Sequence, residues 1–111
     1  MPKKTLANSG QGHPSFVTGI VHFDFWNNDN EAYRDRTLKE LAKSSAQTLH
    51  LSATALPDKG DPETGRIAFA ACATNLTNAH ALAGAIMNYL EKNAAARVIA
   101  DHWLAEEIPD E

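Results

Sequence analysis

Leu49–Thr74 reads LHLSATALPDKGDPETGRIAFAACAT, and its reading decides the fold. Leu49, Leu51, Ala53 and Ala55 alternate with His50, Ser52, Thr54 and Leu56, the period of a half-buried strand. Ile67, Phe69, Ala71 and Ala73 repeat that period within Arg66–Thr74. Between them PDKGDPETG, residues 57–65, holds two Pro and two Gly among charges. This is the composition of an exposed hairpin loop, so the two strands should pair antiparallel.

On the N-terminal side, Phe16–Trp26 (FVTGIVHFDFW) is aromatic and β-branched, with Val17, Gly19, Val21, Phe23 and Phe25 on one side of an alternation. The run Asn27–Asn30 then offers short side chains able to cap a helix. Leu38, Leu41, Ala42 and Ser45 recur at steps of three and four, the stripe of a helix packed on one side. On the C-terminal side, Asn75 or Thr77 can cap a second helix whose stripe is Ala79, Leu82, Ala83, Ile86 and Leu90, ending near Asn93. Arg97–Ile108 alternates roughly and reads as a fourth strand, although Leu104–Glu107 also suits a helix.

Strand, helix, hairpin, helix, strand is the βαββαβ order of an α+β ferredoxin-like sandwich. Right-handed crossovers then lay both helices on one face of a four-stranded antiparallel sheet. A chain of 111 residues with 43% hydrophobic and 22% charged residues fits one such domain. Residues 1–15 lack groups that repay ordering, so the expected division is a flexible arm, 1–15, and one domain, 16–111.

The apolar runs are too short for a membrane span, and Lys3 and Lys4 precede no apolar run of the kind that makes a signal peptide. A cytoplasmic location and no membrane partner are expected. The formal net charge is −4 with a pI near 5.7, which argues against a nucleic-acid partner; only Arg34, Arg36, Lys39 and Lys43 cluster, diluted by Glu31, Asp35 and Glu40. One cysteine excludes an internal disulfide and a cysteine-cluster metal site.

The chain resembles the YlxP-like family of small bacterial proteins of unknown function. The resemblance is carried by GIVHFDF in the first strand, RTLKELAKS in the first helix, RIAFAACATNLTNAHALAGAIMNYLEKN and the closing VIADHWLAEEI. Its most specific part is Asn78, Ala79 and His80 at the start of the second helix. The resemblance implies the ferredoxin-like order and raises a ribosome or RNA partner. Leu41 and Ala42 stand where the family's first helix continues basic, which weakens that partner. No catalytic residues come with the family.

Histidine can ligate metal or move protons near neutral pH, and the chain has five. If Val21 and Phe23 face the helices, the opposite sheet face carries Thr18, His22, Asp24 and Trp26, with His50, Ser52 and Thr54 on a second strand and Cys72 on a third. His22, Asp24, His50 and Cys72 are the candidate ligand-binding set. No local metal motif and no catalytic signature accompany them, so no cofactor, no metal and no catalytic residue are assigned. Phe16, Ile20, Trp26 and Trp103 are the candidate interface, because an uncovered apolar patch invites a partner. The reading is a non-enzymatic domain working through protein contacts as a homodimer, with a ligand- or metal-binding face and a ribosome- or RNA-associated module as alternatives.

Overall fold

The computed structural model describes residues 13–109; the first twelve residues of the expected arm and the last two of the chain lie outside the described residues. The elements are β1 (Ser15–Asp24), α1 (Glu31–Leu49), β2 (Ser52–Pro57), β3 (Thr64–Ala73), α2 (Leu76–Asn93) and β4 (Arg97–Glu107). The sheet order is β2-β3-β1-β4, with every neighbouring pair antiparallel. This is the ferredoxin-like arrangement. Ser15 opens β1 rather than closing the arm: it is fully buried, pairs with Ala73, and its hydroxyl donates to the His13 carbonyl at 3.0 Å.

Alternation in β1 sorts the sheet into two faces. Val17, Val21 and Phe23 are buried beneath the helices, as are Ile67, Phe69 and Ala71 of β3. They meet Leu38, Leu41 and Ala42 of α1 and Ala83, Ile86 and Leu90 of α2 in one core. Gly19 belongs to the same row. A Cβ there would lie 2.6 Å from the Phe69 ring, 2.7 Å from the His102 carbonyl oxygen and 2.7 Å from the Trp103 Cβ. Hydrogen in place of a methyl lets the Phe69 ring and the Trp103 stem close over the central strand.

Asn30 caps α1, its side chain accepting from the Tyr33 N–H at 3.0 Å, and Asn75 caps α2 by accepting from Asn78 N–H at 2.8 Å. The far end of α1 takes in Leu49, the first residue of the expected strand. His50 takes a left-handed conformation (φ 57°) and its N–H closes onto the Ala46 carbonyl. The Leu49–Leu51 part of the expected strand is therefore helix and cap, and β2 begins at Ser52. Leu104–Glu107, which suited either structure, is strand. β4 carries one extra residue, Ile99, between the pairs Phe23 with Val98 and His22 with Ala100.

Residues 58–64 form a knitted loop where the sequence suggested a plain exposed hairpin. Arg34, only 2% exposed in α1, points its guanidinium into it. Nη1 donates to the carbonyls of Asp58 (2.9 Å), Thr64 (2.8 Å) and Asp61, while Nε donates to Asp35 Oδ1 at 2.8 Å. Asn28 adds a side-chain donation to the Pro62 carbonyl at 2.7 Å. Leu38 packs where a Cβ of Gly65 would stand, so α1 sits directly on the strand at the loop's exit.

Removing this guanidinium leaves carbonyls without their donor in a partly buried loop. Arg34→Ala should lower the unfolding free energy by about 3 kcal/mol in urea titration, and Arg34→Lys should recover less than half of that, because an ammonium lacks the planar fork. The two glycines of β1 and α2 should respond with opposite signs. Gly19→Ala should cost about 1–3 kcal/mol through overpacking, whereas Gly84→Ala, with open space around its Cβ position in α2, should gain about 0.5–1 kcal/mol of helix propensity.

Candidate functional site

Among the described residues, no element covers the face of the sheet opposite the helices. Reading across β3, β1 and β4 by register, its rows are Cys72, Phe16 and Glu106; then Ala70, Thr18 and Leu104; then Ala68, Ile20 and His102; then Arg66, His22 and Ala100; and Thr64, Asp24 and Arg97 at the far end. β2 extends three of these rows with Ser52, Thr54 and Leu56. The middle rows are mostly apolar: Thr18, Ile20 and Ala68 are half-buried, while Ala70, His102 and Leu104 are exposed, Leu104 by 49% on the outermost strand. A shallow depression runs over Thr18, Ile20, Ala68, His102 and Leu104.

Polar groups gather at the row ends. Arg97 pairs with Asp24 at 2.9 Å, and His22 meets His102 edge-on with ring centroids 6.0 Å apart. Arg66 keeps a long 3.5 Å ion pair with Asp58, and its Nε makes no hydrogen bond.

This placement divides the candidate ligand-binding set. His22 and Asp24 stand at one end of β1, while Cys72 lies opposite Phe16 at the other. Six residues of strand separate those ends, about 20 Å at 3.3 Å per residue. His50 is absent from the face of β2, because it caps α1; it borders a depression shared with Phe16 and Cys72. The structure therefore holds two separated pairs, and among the described residues it brings no three His, Cys, Asp or Glu side chains into metal-binding proximity.

The candidate interface residues also divide. Phe16 and Ile20 lie on the open face. Trp103 pairs with Gly19 and so belongs to the helix side, where its ring packs edge-on against His80 of α2 at 5.7 Å. Trp26 falls beyond the end of β1 in a turn and is 75% exposed, close to Tyr33 and Arg97 in a separate cleft. The Asn78–His80 segment singled out by the family resemblance has physical roles: Asn78 donates to Thr74 Oγ1 at 2.7 Å, Ala79 is fully buried, and His80 covers Trp103.

Sequence reasoning missed His102, Leu104 and Ala68 as members of the face. It also counted Arg34 toward a basic surface. Arg34 is buried in the loop staple, so the cationic residues left on α1 are Arg36, Lys39 and Lys43, with Arg36 lying over the Tyr33 ring at 5.9 Å. Among the described residues, no helix is long and apolar enough to cross a membrane.

No family model matches the chain, and no curated protein matches it. Among solved structures, it is similar to a dimeric protein of unknown function and ferredoxin-like fold from Bacteroides fragilis, at 14% identity and a TM-score of 0.44, over 84% of this chain and 96% of that one. The fold assignment rests on the strand order and pairings of the chain itself.

Proposed function

We propose that this domain is a non-catalytic protein-interaction module that works as a homodimer, with the open sheet face as its interface. One observation carries the reading: Phe16, Ile20, Ala68, Ala70 and Leu104, with Thr18 among them, form a largely apolar field in the middle of a face that no element among the described residues covers. Sheets of this kind stack about 10 Å apart with their side chains interdigitating. The small Ala68 and Ala70 beside the larger Ile20 and Leu104 give such a surface knobs and hollows.

The size is also sufficient. With β1 ten residues long in a four-stranded sheet, the face spans about 600 Å², at roughly 3.3 Å per residue and 4.8 Å per strand. Two such faces bury about 1,200 Å² together, at the lower end of stable specific interfaces. A second copy is the occupant that this surface matches in extent and in its apolar centre with polar ends.

Sedimentation should give twice the monomer mass at micromolar concentration. Ile20→Glu, which buries a carboxylate at the centre, should shift it to monomer while leaving the far-UV circular dichroism unchanged. Trp26→Glu should leave the dimer intact, because Trp26 is outside the face. A chain that sediments as a monomer at every concentration, or one that Trp26→Glu dissociates and Ile20→Glu does not, overturns the assignment.

A further inference from the structure

The open face is polarised along its strands, and the polarity determines how two copies can meet. At the Phe16 end the formal charge among the described residues of the face is the carboxylate of Glu106, directly opposite Phe16 on β4. At the other end Arg66 lies opposite His22, and the His102 ring is adjacent. Two carboxylates lie at that end, Asp24 paired with Arg97 at 2.9 Å and Asp58 at 3.5 Å from Arg66, so it carries no net negative charge to repel an incoming carboxylate. The Arg66 side chain is 38% exposed and its ion pair with Asp58 is long at 3.5 Å, which leaves the guanidinium able to meet a second carboxylate.

Two identical faces can stack in two simple ways. With the two-fold axis along the strands, like ends coincide: the two Glu106 carboxylates share one end on opposite edges, and the two Arg66 guanidiniums, on the inner β3, crowd the other with four imidazoles. With the axis across the strands, the ends exchange. Glu106 of each copy then approaches the Arg66 and His22 end of the other, and the apolar rows between Thr18 and Ile20 stack over one another at the centre. A two-fold contact of this kind is self-complementary, so each favourable pairing occurs twice.

We infer that the two copies pack open face to open face about an axis running across the strands, with Glu106 of each against the Arg66–His22 end of its partner. The inference rests on the homodimer reading and specifies its geometry. These charges lie at the rim, where opposite signs select register and orientation, while the apolar centre supplies the burial.

The test combines charge reversal with a distance measurement. Glu106→Lys and Arg66→Glu should each raise the dimer Kd by about tenfold at low salt, and the double variant should return it to within about threefold of the original. A spin label on Asp29→Cys in a Cys72→Ser background sits in the turn region before α1, away from the face. In the exchanged arrangement two such labels should be separated by more than about 40 Å, and with like ends together by less than about 30 Å. A dimer showing the short separation, or single reversals that the double variant fails to rescue, overturns the arrangement and leaves the interface standing. Absence of a dimer in the unmodified chain overturns both.

Discussion

Which residues share the open face is decided by the parity of β1, because a strand displaced by one residue turns every side chain to the opposite side. That parity is held at Gly19. The Phe69 ring, the His102 carbonyl and the Trp103 stem close around its hydrogen, and no other residue type fits that contact without displacing two neighbouring strands. Val17 and Val21 flank it in the same row, fully buried. With the central strand locked, β3 and β4 inherit their faces through the ladder, and the helices have a single surface to cover.

The guanidinium of Arg34 performs a second kind of locking. A loop rich in Pro, Gly and charge would ordinarily be the loosest part of such a fold. Here its carbonyls converge on one buried cation supplied by the opposite layer. The helix and the hairpin are thereby joined by hydrogen bonds as well as by apolar packing. The loop also holds the residue that follows β1, since the Glu63 carbonyl accepts from the Phe25 N–H at 2.5 Å.

Much of this was legible in the sequence, because period two and period 3.6 survive in the burial pattern: the α1 stripe of Leu38, Leu41, Ala42 and Ser45 is the buried stripe of the helix. Arg34 was misread because a basic residue in an amphipathic helix reads as solvent-facing, yet it stands four residues before Leu38, on the stripe. Leu49 likewise continues that stripe from Ser45, a signal that the helix outlasts the apparent alternation and that His50 terminates it. Trp103 escaped for a different reason. The extra residue Ile99 reverses the parity of β4, so that Val98 and Ala105 face the same way across an odd number of positions. Periodicity alone contains no trace of such an insertion. The open face could be outlined from β1, but its β4 members depended on that one residue.

The same insertion bears on what the outer border of the sheet does in a crowded cell. An eleven-residue strand whose outer flank is unpaired among the described residues is a template on which further chains could add indefinitely. Ile99 interrupts the even spacing of donors and acceptors along that flank and increases its local twist, so a straight incoming strand finds matching partners over only part of the length. Asp101 places an ionised group just beyond the interruption. A border of this kind resists the open-ended addition of strands that leads to a fibre.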